Sequence, residues 1–390
     1  MHPFYSADEL RFRDELREFF RREIPERIRA KVSAGQPLEK ADFIESQRIL
    51  NAKGLAVPHW PVEWGGKGWT TVQRAIYTEE LQRAAVPLPL QFNCYMVGPV
   101  IAAFGSQAQK ERFLARAANL DDWWCQGFSE PDAGSDLASL KTRAVRTDRG
   151  YVVTGQKIWT TYAQYADWIF CLARTDPAGK KQAGISFVLI DMKSPGVTVR
   201  PIITIDGRHE VNEVFLDEVL VPYENLVGEE NRGWDYAKFL LANERAGIAR
   251  IGLSKERISR VRRLAQETSV GDRTLWDVET FRVRVLQVEA ELKALEFTQM
   301  RVLTTSDQRS NAPNPVSSIL KLKGSQLQQL ATELLMEVAG VESFHIASPQ
   351  DAEAAPALAL ETYLNFRKVS IYGGSNEIQR NIIAKTILNL

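Results

Sequence analysis

Four short stretches of this 390-residue chain carry residue types that could do chemistry. "QGFSEPDAGSDLASLKTRA" (126–144) sets hydroxyls and backbone N–H groups among glycine, proline and small side chains. Taken alone it is a tight loop, because Pro, Gly, Asp and Ser are ordinary turn residues. "GQKIWTT" (155–161) puts the Trp159 indole beside the Thr160 and Thr161 hydroxyls, although an indole on an alternating strand is by itself more often core. "LLANERAGIAR" (240–250) carries Glu244 on roughly one helical stripe with Ala237, Leu241 and Ile248. A carboxylate there is either at a helix-packing margin or buried, and burial raises its pKa toward the range of a working base. "IYGGSNEIQR" (371–380) reads as a Gly-Gly turn with Ser375 and Asn376 as capping candidates. It opens a last amphipathic helix with Ile378, Ile382 and Ile383 on one face.

The elements around these stretches fall into three regions. Residues 6–118 read as helical, with Ser6 and Glu9 at capping-box spacing, helices resuming at 71–84, and Ser106 capping another. From about Trp123 to Gly233 short β-branched and aromatic runs alternate with turn signals, as in a small barrel or sandwich. After Gly233 the helices are long. One runs over thirty residues from Trp234 without proline, another places Phe281, Val285, Val288, Leu292 and Leu295 on one stripe, and a third spans about Val316 to Val338. An Ala/Pro-rich interruption, "HIASPQDAEAAPALALE", precedes the last helix. Long helices with short connections argue a bundle.

Charge balances at 49 basic against 49 acidic residues, so no net field draws nucleic acid or an anionic membrane. The basic run from Arg250 to Arg263 reads as a solvated helix face. Three cysteines and four scattered histidines give no disulfide framework or zinc site and fit a reducing, cytoplasmic setting. The N-terminus lacks an apolar h-region, and no run of about 18 apolar residues exists to span a membrane.

Read together and in order, the motifs resemble the acyl-CoA dehydrogenase family over nearly the whole chain. "EPDAGSD" and "GQKIWTTYA" are similar to that family's "EPxAGSD" loop and "GxKxWxTxA" strand, and "VPYENLVGEENRGW" to its exit from the middle domain. "PVEWGGKGW" and "FGSQAQKERFL" are similar to its N-terminal motifs. The resemblance implies a mainly α fold with a central β-domain: a helical N-domain (1–120), a β-barrel middle domain (121–232) and a C-terminal four-helix bundle (233–390). It implies FAD, an acyl-CoA substrate, removal of a proton from Cα and a hydride from Cβ, and an electron-transfer flavoprotein as acceptor. Residues matching flavin contacts are Phe128, Ser129, Trp159, Thr160, Thr161, Ser375 and Glu377; those matching substrate contacts are Ser135, Arg245 and Gly374.

Many members of the family carry the catalytic base in a C-terminal "YEGT" segment, where this chain has "YGGS" with Gly373 in the glutamate's place. A minority place it on a helix of the bundle, at the position of Glu244, which is therefore the expected base, with Glu377 as runner-up. The family's "RxxFG" and "QxxGGxG" segments, which hold the FAD pyrophosphate and adenosine from a neighbouring subunit, are also altered. Here they read "QETSVGDRTLWDVE" and "MEVAGVE", with Arg273 a substitute for the first and Gly340 the one survivor of the second. These departures resemble the larger subunits of two-component bacterial enzymes acting on pimeloyl-CoA or sterol side-chain thioesters. A homo-oligomer, or a heterotetramer with a smaller family subunit, is the expected assembly, in fatty acid or sterol side-chain β-oxidation. Two other functions are compatible with the same motifs: a non-catalytic partner subunit, and a flavin monooxygenase or oxidase on the same scaffold.

Overall fold

Helix signals near the N-terminus fold as local rules dictate. The computed structural model describes residues 5–244, 249–305, 316–341 and 357–390. Helix α1 (Ala7–Glu23) is capped by Ser6, whose hydroxyl accepts from the Glu9 N–H while the Glu9 carboxylate accepts from the Ser6 N–H at 2.7 Å. This reciprocal cap satisfies two of the donors every helix start leaves open. Helices α2 (Glu26–Ala34) and α3 (Lys40–Ala52) follow, then α4 (Thr71–Arg83) and α6 (Gln107–Asn119), which repeat the capping box with Thr70/Gln73 and Ser106/Gln109. A π-helical turn (Phe92–Val97) leads into the short α5 (Gly98–Phe104).

The β-region gives seven strands: β1 (Trp124–Gly127), β2 (Arg143–Arg146), β3 (Tyr151–Thr161), β4 (Trp168–Arg174), β5 (Ile185–Asp191), β6 (Val197–Ile203) and β7 (His209–Val221). They form one sheet in the order β1-β4-β2-β3-β7-β6, with β5 also on β4. The long β3 and β7 pair antiparallel, and the buried strands β4 and β5 read as continuous apolar runs. Val153, Ile169, Cys171, Val188, Val214 and Val219 are fully buried within the curl.

Past the sheet come α7 (Gly233–Glu244), α8 (Ile251–Glu267), a small hairpin of β8 (Ser269–Val270) and β9 (Arg273–Thr274), α9 (Glu279–Thr305), α10 (Val316–Ala339), α11 (Ala357–Asn365) and α12 (Asn376–Thr386). The expected α9 stripe of Phe281, Val285, Val288, Leu292 and Leu295 is buried against Ile258 and Val261 of α8 and Leu327, Ala331 and Leu334 of α10. The mainly α architecture with a central curled sheet is therefore as expected from the periodicities.

Two expectations need correction. The single helix expected from Trp234 is not continuous: α7 is described as far as Glu244, and α8 begins afresh at Ile251 after Arg250, which sits at φ +46. A left-handed residue cannot continue a right-handed helix, so the helical stretch is two elements. The basic run is also not a uniformly solvated face: Arg257 and Arg260 are buried. The Arg257 guanidinium lies 3.6 Å from the Phe366 ring centroid, and Arg260 donates to the Ser33 carbonyl. The Ala/Pro-rich interruption falls mostly outside the described residues.

By contacts the chain divides into two units. One takes residues 47–68 and 89–244, the sheet included; the other takes 1–46, 69–88 and 245–390. The helices before residue 120 are thus shared between the units, and α3 belongs partly to each. Among the described residues no helix is long and apolar enough to cross a membrane.

Candidate functional site

In the sheet unit, the chemistry-bearing stretches meet at one irregularity of β3. The β3–β7 ladder, shifted once between Val153 and Gly155, pairs Gly155 to Lys157 in register with Leu216 to Val214 and resumes at Thr160↔Asn212, so β3 holds one residue more than its partner over this last interval. The bulge places Trp159 at φ +60 with its side chain 58 % exposed. A bulky aromatic in the left-handed region is strained, and such strain clusters at functional sites. Within the bulge the Ile158 N–H donates to the Ser129 carbonyl at 2.9 Å, which ties the strand to the 128–133 loop. After the bulge regular pairing returns, so Thr160 and Thr161 point to opposite faces. Thr160 is buried with a hydroxyl that has no partner among the described residues, and Thr161 is half-buried.

The loop itself is closed by two hydrogen bonds between the Glu130 and Ala133 backbones, at 3.1 and 3.0 Å, around Pro131 and Asp132. Ser135 is exposed near its tip, beside Gly134, where an added Cβ would meet nothing within 4 Å. Ser129 is half-buried, whereas the Phe128 ring is buried against Phe170 and Phe187, with centroids at 5.8 and 6.2 Å. Phe128 therefore offers backbone rather than an aromatic face. An exposed indole on a fixed bulge, with the Thr161 and Ser129 hydroxyl residues adjacent, fits a flat aromatic ligand with polar edges.

Two residues absent from the expected site organise it. Lys157 is fully buried, and its ammonium donates to the Glu130 carboxylate at 2.8 Å, the Leu172 carbonyl at 2.8 Å and the Phe128 carbonyl at 3.2 Å. Glu130 also accepts from the Lys141 and Thr142 N–H groups at 2.6 and 2.9 Å. Burial pushes the Glu130 carboxyl up, but the Lys157 charge and the hydrogen bonds it accepts bring it below the ordinary glutamate value. The sequence signal was present: a lysine inside an otherwise apolar or neutral strand demands a buried partner.

In the other unit, the Gly373–Gly374 turn adopts φ +64 and +81, and Ser375 caps α12 by accepting from the Ile378 N–H at 3.4 Å. The Gln379 amide donates to the Gly373 and Gly374 carbonyls, each at 3.2 Å. A polar stripe on α10 holds the approach to this turn. Lys321 donates to the Ser370 carbonyl and Asn376 Oδ1, Ser325 donates to Asn376 Oδ1, and Gln329 donates to the Arg367 carbonyl. Glu377 is exposed, and its own N–H and the Ser375 hydroxyl hold its carboxyl below the usual range. A solvated, acidified carboxylate is a weaker base for a weakly acidic C–H than a buried one.

Helix α7 is described as far as Glu244, whose side chain lies outside the described residues, as does Arg245. Of the residues expected to share the Glu244 stripe, Ala237 is buried and Leu241 half-buried, and Ile248 lies outside the described residues. The altered adenosine segments are a β8–β9 hairpin with Arg273 exposed and the end of α10, where Gly340 has φ +61; Glu342 lies outside the described residues.

Comparison with known proteins explains why these features occur together. Residues 6–121, 125–219 and 231–388 match the N-terminal, middle and C-terminal domains of acyl-CoA dehydrogenase. The chain is 34% identical to acyl-CoA dehydrogenase IpdE1 of Mycobacterium tuberculosis over 97% of both. Among solved structures it is similar to the ChsE4-ChsE5 complex of Mycobacterium tuberculosis (31% identity, TM-score 0.86, 100% of this chain and 99% of that chain). It is also similar to the Tcur3481-Tcur3483 steroid acyl-CoA dehydrogenase (28% identity, TM-score 0.87, 100% and 99%). The chain belongs to the acyl-CoA dehydrogenase family.

Proposed function

We propose that this acyl-CoA dehydrogenase converts an acyl-CoA thioester to the 2-enoyl-CoA with FAD and with Glu244 as the α-proton base. The observation that carries the reading is the Trp159 bulge: strained backbone holds a large indole exposed beside Thr161, as a flavin wall requires. FAD, when bound, would accept the hydride from Cβ. Trp159 and Thr161 would face the isoalloxazine, with Ser129 near its polar edge; Thr160, on the opposite face, would support the strand. Ser375 would contribute from the cap of α12, while Ser135, Gly374 and Arg245 would contact the acyl-CoA.

The base assignment rests on the resemblance, which gives two positions for the carboxylate. Gly373 has no side chain at the first, and Glu377 nearby is solvated and acidified, which supports Glu244 at the second. The domain limits near residues 120 and 232, drawn from the change of hydrophobic period, belong to the same reading.

The partner is proposed to be a second, smaller family subunit in a heterotetramer, in keeping with the relative described as the ChsE4-ChsE5 complex. The altered adenosine segments support it, since this chain keeps few of the groups that hold a pyrophosphate. A sterol side-chain thioester is the proposed substrate class, and an electron-transfer flavoprotein the proposed acceptor. Anaerobic mixing of the flavin-loaded protein with straight-chain, dicarboxylic and steroid-bearing acyl-CoAs tests the function. Bleaching by one class supports it; no bleaching by any, with flavin bound, rejects it.

A further inference from the structure

We propose that the buried Lys157–Glu130 ion pair is a positioning device that sets the backbone bulge presenting Trp159. The proposal rests on the flavin reading of Trp159 for its functional consequence, but the geometry belongs to the sheet unit alone.

The pair joins four segments. Lys157 is the last regularly paired β3 residue before the bulge, and its ammonium spends its three donors on the Glu130 carboxylate, the Phe128 carbonyl and the Leu172 carbonyl of β4. The Glu130 carboxylate in turn receives the Lys141 and Thr142 N–H groups just ahead of β2. The loop that supplies Ser129 is thereby locked to the strand that supplies Trp159, and the Ile158 N–H to Ser129 carbonyl bond lies between them. On the far side of the bulge, the fully buried Asn212 donates to the Thr160 carbonyl at 3.0 Å. The strained residue sits between two anchors, and a strained conformation persists only where its surroundings over-determine it.

Stability alone is a poor explanation for such a pair. Desolvating both charges offsets most of their attraction, and well-packed neutral replacements of similar volume are often no less stable. What a neutral replacement would lose is direction: three donors aimed at three carbonyl or carboxylate oxygens fix the loop and strand in one register.

The test uses the double variant Glu130→Gln/Lys157→Met, which strands no buried charge and keeps an amide oxygen for one of the Lys141 and Thr142 N–H groups, which bond different oxygens of the carboxylate. The protein is labelled with 5-fluorotryptophan, and Trp159 is assigned among the nine tryptophans by Trp159→Phe. In the flavin-free protein, the Trp159 fluorine resonance should shift or broaden while the others stay in place. In the FAD-loaded protein, assembled with its partner chain if loading requires it, FAD affinity should fall about 10-fold, the worth of roughly one hydrogen bond. The KM for acyl-CoA should change less than kcat, since misplacement by about 1 Å acts on the reacting geometry. A folded double variant with an unchanged Trp159 resonance and FAD affinity within about twofold overturns the proposal. If the wild-type protein binds no FAD, the flavin reading fails, and the Trp159 resonance by itself decides the positioning role. Should the double variant not fold, Glu130→Asp, which keeps the charge pair and shortens its reach by one methylene, is read the same way.

Discussion

Replacing Gly374 by alanine should destabilise the C-terminal unit far more than the same replacement at Gly271, although both glycines have positive φ. At Gly271, in the β8–β9 turn, φ is +64 and an added Cβ meets nothing within 4 Å. The expected loss there is the left-handed penalty alone, about 1–2 kcal/mol. At Gly374 φ is +81 and the new Cβ would lie 2.6 Å from the Gln379 amide nitrogen. That nitrogen holds both the Gly373 and Gly374 carbonyls, so moving it aside forfeits two hydrogen bonds. At about 1 kcal/mol each, the total for Gly374→Ala comes to about 3–4 kcal/mol. Denaturant unfolding of the two single variants beside wild type measures the difference. The same variant should slow turnover, because the displaced turn leads into Ser375 and the start of α12. Equal destabilisation at the two positions would refute the reasoning, since only strain would then be felt at Gly374.

Other outcomes follow from the same structure. Introducing Gly373→Glu into the Glu244→Gln protein should restore part of the flavin reduction rate, with a stability loss of about 1–2 kcal/mol from the left-handed backbone; no recovery in a folded double variant would show that the two positions do not serve one proton. Because the folded pKa of Glu130 is depressed, its contribution is complete above the unfolded value of about 4.3 and is lost as pH falls through the folded value. Acid unfolding of wild type should therefore carry a component below about pH 4 that the Glu130→Gln/Lys157→Met protein lacks, and superimposable acid-unfolding curves would contradict it. Purified without a partner, the chain should carry substoichiometric FAD, as measured by absorbance after desalting; one tightly bound FAD per chain would argue that the altered Arg273 and Gly340 segments suffice.

Local rules were readable along the chain, and long-range pairings were not. Ser6 with Glu9 and Ser106 with Gln109 became capping boxes because each depends on residues three apart. The α9 stripe and the β-runs followed from periodicity in the same way. The break before α8 escaped because Arg250 carries no mark of a left-handed residue, and the nearby Gly247 is only a weak breaker. Arg257 and Arg260 read as solvated because the ring and carbonyl that receive them, Phe366 and Ser33, are remote in sequence. At the site, the letters were visible but their geometry was not. Trp159 on an alternating strand looks like core until the bulge turns it outward, and Glu130 and Lys157 stood in the quoted motifs as mere members of a pattern. Pairing across 27 residues is a property of the folded sheet.

The measurement that bears most directly on the catalytic account is anaerobic flavin reduction by the Glu244→Gln protein, mixed rapidly with an acyl-CoA that bleaches the wild type. The substitution keeps the side-chain shape and removes the base, so the reduction rate should fall by about 10² or more. Acyl-CoA affinity should change little, because the lost interaction acts in the transition state. Near-normal reduction by the flavin-loaded Glu244→Gln protein would contradict the account, and would return attention to Glu377 despite its exposure.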